Sequence, residues 1–378
     1  MSDRLRVGVI FGGRSGEHAI SLLSARSIIG ALDPERYEVV PIGITRDGRW
    51  MALNDARHAL EIGIENVPGV RAALLAEPRT QSLARVEEDA LVRAPGPNAM
   101  GAIDVIFPVL HGTFGEDGTV QGLLELSGMP YVGSGVAGSA LGMDKILMKK
   151  IFAAHGFPIA RWDAFLRTEW EADPSAVESR LEATLGFPCF VKPANLGSSV
   201  GISKARNRAE LGPAIRMAAE YDRKIVVEEG VIPCRELECA VLGNDRPEAS
   251  VVGEVVPSNE FYDYEAKYLK DDSKLFIPAE IPEAVSERIQ KLSCEAFLAL
   301  DLAGLSRVDF LYHEPSGGLY LNEVNTMPGF TRISMYPKLW EASGLPYSQL
   351  CDRLIALARE RHSEKSRTKY TFETPAAT

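Results

Sequence analysis

No run in the sequence approaches the roughly 18 consecutive apolar residues that a membrane-spanning helix requires. The N-terminus has no signal-peptide pattern either, entering instead a strand-like Arg6-Val7-Gly8-Val9-Ile10-Phe11. The expected location is therefore the cytoplasm, away from membranes. Cysteine is scarce: Cys189, Cys234, Cys239, Cys294 and Cys351 are odd in number and widely spaced, which excludes a disulfide framework and a Cys-x-x-Cys zinc site. The six histidines show no His-Glu-x-x-His or comparable metal-binding spacing. Positive charge is also in deficit. The 41 basic against 52 acidic side chains leave a net charge of −11, opposing general binding to nucleic acid or to an acidic membrane. A local basic pocket for phosphates is compatible with that balance.

What is present is an ordinary globular mixture, 46% hydrophobic and 25% charged over 378 residues. At about 150 residues per domain this length predicts two or three domains. Apolar strand-like and helix-like runs alternate at 6–11, 21–32, 37–44, 102–110 and 121–126, predicting a parallel sheet with crossover helices over residues 1–133. Between 50 and 98 the periodicity fades, ending in Ala94-Pro95-Gly96-Pro97-Asn98, and reads as an insertion or peripheral helices. Residues 134–221, with a helix around 139–152 and a hairpin-like segment at 187–204, read as a small α+β lid domain. A third domain, 222–378, carries strands at 225–229, 236–242 and 307–312 and a helix near 283–300, and its polar tail after His362 reads as loose.

Three stretches suggest chemistry. Phe11-Gly12-Gly13-Arg14-Ser15-Gly16-Glu17-His18 runs from a strand into a helix, where backbone amides converge, but it does not fit the dinucleotide pattern Gly-x-Gly-x-x-Gly. Glu17 reads either as a carboxylate favoured by the helix dipole or as an anchor for a substrate ammonium. Lys192-Pro193-Ala194-Asn195-Leu196-Gly197-Ser198-Ser199-Val200-Gly201 lacks the lysine of a P-loop. It is either a plain hairpin turn or a flap whose amides and hydroxyls meet phosphate oxygens. Lys145 and Lys149, at i and i+4, form either a solvated face or part of the same pocket. The third stretch pairs Arg307 with Asp309, and Glu323 with Asn325, on strands where side chains two apart share a face. That set is either a surface ion-pair ladder or a group of hard oxygen ligands suited to Mg²⁺ on nucleotide phosphates. Interleaved Phe310, Leu311, Leu319 and Leu321 favour the latter. The Pro328-Gly329 turn beyond can present an amide beside Arg307 as an oxyanion site.

With these motifs in place, the chain resembles the D-alanine–D-alanine ligases of the ATP-grasp superfamily. The resemblance rests on Gly12-Gly13-x-Ser15-x-Glu17-His18, on His111-Gly112-x-x-Gly115-Glu116-Asp117-Gly118-x-x-Gln121-Gly122, and on Tyr131-x-Gly133-Ser134-Gly135 with Ser139-Ala140-x-x-Met143-Asp144-Lys145. It continues through the 192–201 flap, Phe261-Tyr262-Asp263-Tyr264-Glu265-Ala266-Lys267-Tyr268, Arg307-x-Asp309, and Asn322-Glu323-x-Asn325-Thr326-x-Pro328-Gly329-Phe330-Thr331 through Ser334. It is weak over 51–98 and after 358.

The resemblance implies a three-domain ATP-grasp fold that combines α/β and α+β parts. It implies an ATP-dependent ligase that joins two D-alanines through a D-alanyl phosphate for peptidoglycan precursors. The chemical logic is that a carboxylate has no adequate leaving group until it is phosphorylated. By the same resemblance adenine lies near Glu228, Glu229 and Val231, and ribose near Glu236. Phosphates fall to Lys145, Lys192, Ser198 and Ser199. Two Mg²⁺ ions, replaceable by Mn²⁺, fall to Asp309, Glu323 and Asn325. Glu17 takes the first substrate's ammonium, with His111 orienting that substrate. Lys267 and Ser334 face the second substrate's carboxylate or the transferred phosphate. Ser198 and Tyr268 link into a lid over Glu17, while Arg307 and the Gly329 amide meet the oxyanion. A homodimer is implied too. A sister ligase using D-lactate or D-serine, with the choice bearing on the Lys267-Tyr268 position, and an ATP-binding regulatory protein on the same scaffold are the competing readings.

Overall fold

The structure is a computed structural model and describes residues 4–78, 83–87, 90–92, 102–197, 200–256 and 274–370. Among these, three sheets carry the architecture. The first contains β1 (Leu5–Gly12), β2 (Tyr37–Ile44), β3 (Trp50–Leu53), β4 (Gly69–Leu74), β5 (Leu83–Glu87), β6 (Ala90–Val92) and β7 (Val105–Val109), in the order β6-β5-β4-β3-β2-β1-β7. β1 is parallel to both β2 and β7. The predicted parallel core is therefore present, and the unbroken apolar run of β1 is what a strand covered on both faces demands. Residues 50–92 depart from the expectation of an insertion or peripheral helices. β3 to β6 extend the sheet antiparallel, with only the short helix Ala56–Ile62 and one further turn between them. None of these strands, WMAL, GVRAAL, LARVE and ALV, shows the strict apolar–polar alternation that marks a strand in sequence.

The second sheet joins β8 (Trp162–Leu166), β9 (Cys189–Pro193), β10 (Ser203–Ala205) and β11 (Lys224–Glu229) in the order β10-β9-β11-β8. β9 and β10 form the expected antiparallel hairpin. β11, assigned from sequence to the third part, pairs instead with β8 and β9, because Ile225 and Val227 complete a core with Val191, Leu211 and Ile215. The third sheet contains β12 (Arg235–Gly243), β13 (Glu248–Val256), β14 (Lys274–Phe276), β15 (Gly304–His313) and β16 (Gly318–Asn325), in the order β14-β13-β12-β15-β16. One face packs on the helix Glu283–Ala299.

The helix predicted around 139–152 is two helices, Val136–Met143 and Lys145–Ala154, broken at Asp144. Asp144 leaves the helical region and its carboxylate accepts from the Ile146 and Leu147 amides, capping the second helix. Met148 and Phe152 on that helix pack with Leu237, Val308 and Phe310, so it belongs to the third sheet's core. Past His362 the helix Tyr347–Lys365 extends only to Lys365, residues 363–370 are exposed, and 371–378 lie outside the described residues. Within that helix, Leu350, Leu354, Ile355 and Ala358 are buried in the same cluster as Val7, Phe11, Phe107 and Phe330. That cluster joins the first sheet to the chain's end, with the third sheet's Ala240 and Leu305 included.

Candidate active site

β1 delivers the chain into the Gly12-Gly13 turn, and the helix His18–Ala31 leaves it. Gly12 has φ +94°, and a Cβ there would lie 2.2 Å from the Ile44 carbonyl oxygen, so this position admits only glycine. Ser15 staples the turn to the next one: its hydroxyl donates to the His111 carbonyl at 2.9 Å and accepts from the Glu17 amide at 3.1 Å. Glu17 occupies the cap position of the helix, yet its side chain makes no capping hydrogen bond. Its carboxylate lies between two glycines. A Cβ on Gly112 would approach Glu17 Oε2 to 2.5 Å, and one on Gly197, within the flap, to 3.1 Å. A cavity of about 350 Å³ opens beside this turn at the carboxyl ends of β1 and β7, lined by Gly13, Ser15, His111 and Phe114 among others. Open α/β sheets bind ligands at such a switch point.

His111 is buried, and both its ring nitrogens are engaged: Nδ1 at 3.0 Å from the Met327 carbonyl and Nε2 at 2.9 Å from the Ser24 hydroxyl. A carbonyl can only accept, so Nδ1 carries the hydrogen and Nε2 accepts from Ser24. Burial lowers the His111 pKa, favouring this neutral form, with Glu17 acting the other way. The Ser24 hydroxyl accepts in turn from the Phe330 amide at 3.3 Å. His111 thus grips the loop after β16 through its nitrogens.

On the third sheet, β15 and β16 bring Arg307 opposite Asn325 and Asp309 opposite Glu323, as the two-apart spacing requires. Arg307 makes two parallel bonds to Asp309, Nε to Oδ1 and Nη2 to Oδ2, each 2.7 Å, and Nε lies 3.0 Å from Glu238 Oε2. Asn325 Nδ2 donates to Asp309 Oδ2 at 3.0 Å. Lys145 Nζ stands 3.6 Å from Glu323 Oε2 and donates to the Leu196 carbonyl of the flap at 2.9 Å, spanning the two regions. Ser334 occupies the N-cap position of the helix Met335–Ala342 without a side-chain capping bond and lies beside Gly329, whose Cβ position would be 3.0 Å from Ser334 Oγ. Its hydroxyl accepts from the Thr331 amide at 3.0 Å.

Between the second and third sheets is a buried charge triad. Glu228 Oε1 lies 3.1 Å from Lys149 Nζ, and Oε2 lies 2.9 Å from Lys192 Nζ. Burial alone would raise the Glu228 pKa, but the two ammonium groups overcome it and hold the carboxyl down at about 2. Burial draws Lys149 down, whereas Glu228 and Glu323 lift Lys192 above the ordinary lysine value against burial. Glu229 is held by Arg161, whose Nε donates to Oε2 at 2.6 Å. Val231 is half-buried just beyond, and Glu236 lies on β12 opposite Leu311.

The residues expected from sequence thus assemble in three groups. Glu17 and His111 sit at the first sheet, Lys145, Lys192, Glu228, Glu229, Val231 and Glu236 around the seam of the second and third sheets, and Arg307, Asp309, Glu323, Asn325, Gly329 and Ser334 on the third. Ser198, Ser199, Lys267 and Tyr268 lie outside the described residues. Lys149, Ser24, Glu116 and Glu238 were not assigned from sequence. A lysine one helical turn after Lys145 was visible there, but a solvated face was the favoured reading of it. Asp309, Glu323 and Asn325 supply two carboxylates and an amide oxygen on one sheet face, a hard-oxygen set that fits Mg²⁺, which commonly takes one or two carboxylates plus phosphate oxygens and water.

Known proteins match the chain over nearly its whole length. Residues 6–134 match the family described as the D-ala D-ala ligase N-terminus, and residues 151–356 match the D-ala D-ala ligase C-terminus. The chain is 52% identical to a D-alanine–D-alanine ligase of Natranaerobius thermophilus, over 98% of this chain and 99% of that one. It is 48% identical to the same enzyme of Geobacillus thermodenitrificans, over 98% and 100%. Among solved structures, the D-alanine–D-alanine ligase of Coxiella burnetii superposes with a TM-score of 0.83 at 35% identity, covering 97% of each chain. The VanG D-Ala:D-Ser ligase of Enterococcus faecalis superposes with a TM-score of 0.82 at 36% identity, covering 94% of this chain and 99% of that one.

Proposed function

This chain belongs to the D-alanine–D-alanine ligase family and is an ATP-dependent ligase that joins two D-alanines for peptidoglycan precursors; from that premise we propose which of its residues carry each part of the reaction. The observation that bears the proposal is the cluster in which Arg307 clamps Asp309 while Asn325 donates to the same carboxylate.

The first D-alanine binds with its ammonium on Glu17 and its carboxylate toward Arg307. ATP lies along the seam of the second and third sheets, adenine by Glu228, Glu229 and Val231 and ribose on Glu236. Lys145, Lys192, Ser198 and Ser199 meet the phosphates. Magnesium is used by the family, and we assign two ions to Asp309, Glu323 and Asn325, which would hold them and so offset phosphate charge against an anionic nucleophile. Manganese has the same preference for oxygen ligands and would substitute.

The substrate carboxylate oxygen attacks the γ-phosphorus, ADP leaves, and the resulting D-alanyl phosphate has a competent leaving group. The amine of the second D-alanine, held by Ser334 and Lys267, attacks the acyl carbon and expels phosphate. Arg307 and the Gly329 amide receive the negative charge that gathers on the acyl oxygen, a contribution of about 3–4 kcal/mol per donor in comparable sites. Ser198 and Tyr268 close over Glu17 and exclude water from the acyl phosphate.

We divide the chain for this purpose into residues 1–133, 134–221 and 222–378, with β11 acting as part of the middle unit. A homodimer and a cytoplasmic location complete the proposal. Among the described residues no helix is long and apolar enough to cross a membrane. The D-Ala:D-Ser relative favours D-serine as the second reading. Purified protein given ATP, Mg²⁺ and a panel of D-amino and D-hydroxy acids, with products weighed by mass spectrometry, tests the assignment. D-Alanyl-D-alanine as the main product supports it, and D-alanyl-D-serine or D-alanyl-D-lactate as the main product overturns it.

A further inference from the structure

We propose that Glu116 is a positioning residue for the ligation, holding the oxyanion loop at a fixed distance from the ammonium anchor; the inference rests on the roles assigned above to Gly329 and Glu17. Glu116 follows the His111-Gly112 turn on the N-terminal side of the chain. Its Oε1 accepts from the Gly112 amide at 2.8 Å. Its Oε2 accepts from the Met327 amide at 2.9 Å, 211 residues away in sequence, and from the Thr326 hydroxyl at 3.4 Å. One carboxylate thus bridges two loops that no backbone hydrogen bond joins directly.

Each end of the bridge leads to a working group. Gly112 at φ +75° passes so close to Glu17 that a Cβ would stand 2.5 Å from its carboxylate oxygen, so the placement of Glu17 follows that of Gly112. Met327 is separated from Gly329 only by Pro328, whose ring fixes φ and leaves little slack between them. The Met327 peptide is gripped on its other side as well, since its carbonyl meets His111 Nδ1 at 3.0 Å. A displaced Met327 amide therefore carries the Gly329 amide with it. Burial, reinforced by the nearby charge of Glu17, pushes the Glu116 carboxyl up to about 8. The hydrogen bonds from the Gly112 and Met327 amides and the Thr326 hydroxyl act the other way, favouring the ionised, accepting form.

Glu116→Gln and Glu116→Ala test the idea. The glutamine retains one acceptor oxygen and turns an amide NH₂ toward one of the two backbone N–H groups, while the alanine releases both. A displacement of about 1 Å at a reacting group costs roughly 100-fold in rate. Glu116→Ala should lose about that factor in kcat, with Glu116→Gln between it and the parent. The affinity for a phosphinate analogue of the dipeptide, which mimics the tetrahedral state, should fall in step with kcat/KM, and the affinity for ATP without D-alanine should stay constant. Equal losses of ATP and phosphinate affinity, or a kcat within about threefold of the parent in a folded Glu116→Ala, would overturn the proposal. Arg307→Lys separates this failure from failure of the underlying reading. If Arg307→Lys is crippled while Glu116→Ala is normal, only the Glu116 inference falls, and if both are normal the assignment of the oxyanion site falls with it.

Discussion

Arg307 and Asp309, two residues apart on one face of β15, form a two-pronged ion pair with both bonds at 2.7 Å. The proposed oxyanion donor and a proposed metal ligand are consequently one mechanical unit. The guanidinium is held in orientation by Asp309 and by Glu238 on the neighbouring strand before any substrate arrives. Arg307→Lys keeps the charge and loses the planar fork. We expect kcat to fall by roughly 100- to 1,000-fold, the cost of removing one oxyanion donor elsewhere, with ATP affinity little changed. Steady-state kinetics with each substrate varied in turn measures this.

Glu323→Gln removes one charge from the metal set while nearly preserving shape. Turnover should drop by roughly two to three orders of magnitude, the scale of several kcal/mol of lost charge stabilisation. The Mg²⁺ concentration needed for half-maximal rate should rise. Because Lys145 stands 3.6 Å from Glu323, the same change should weaken the Lys145 contact with the flap without unfolding the protein. Near-parental activity in a sample with a parental melting curve would refute the metal assignment.

The triad of Lys149, Glu228 and Lys192 predicts a stability that depends on pH. Glu228 titrates near 4.5 when unfolded and at about 2 in the fold, so its contribution is present above pH 4.5 and is lost as pH falls toward 2. That difference corresponds to stabilisation on the order of 3 kcal/mol. Glu228→Gln leaves two buried ammonium groups without their counter-charge and should cost about 3–5 kcal/mol at pH 7. Urea denaturation at pH 7 and pH 3.5 should therefore give a smaller penalty for the variant at the lower pH. An equal penalty at both would contradict the depressed titration.

Gly112→Ala is a small change with a specific expectation. At φ +75° any side chain is strained, and the new methyl would press on Glu17 Oε2. The KM for the first D-alanine should rise and kcat/KM should fall about 100-fold, while ATP binding measured calorimetrically is retained. Unaltered D-alanine kinetics would remove Glu17 from the ammonium role.

The parts of this molecule that sequence revealed were those where one physical rule acts locally. β1 announces itself by an unbroken apolar run, and the Arg307-x-Asp309 and Glu323-x-Asn325 pairs follow from the two-residue period of a strand. Where rules compete or act at a distance, the sequence was silent or misleading. β3 to β6 lack strict alternation, and Asp144 breaks a helix that apolar spacing alone continues. β11 resembles any buried strand, and only the packing of Ile225 and Val227 assigns it to its sheet. Glu116 and Ser24 act on residues more than two hundred positions away, which no spacing rule can reach.

The shared core of Val7, Phe11 and Phe107 with Leu350, Leu354 and Ile355 has a bearing on how the molecule comes into being. A ribosome makes the first sheet early, yet part of its covering arrives only with the helix Tyr347–Lys365. Until then an apolar face of the nascent chain stays uncovered. A chain shortened before Leu350 would lose both its solubility and its chemistry at once, although every residue assigned to the reaction would still be in it.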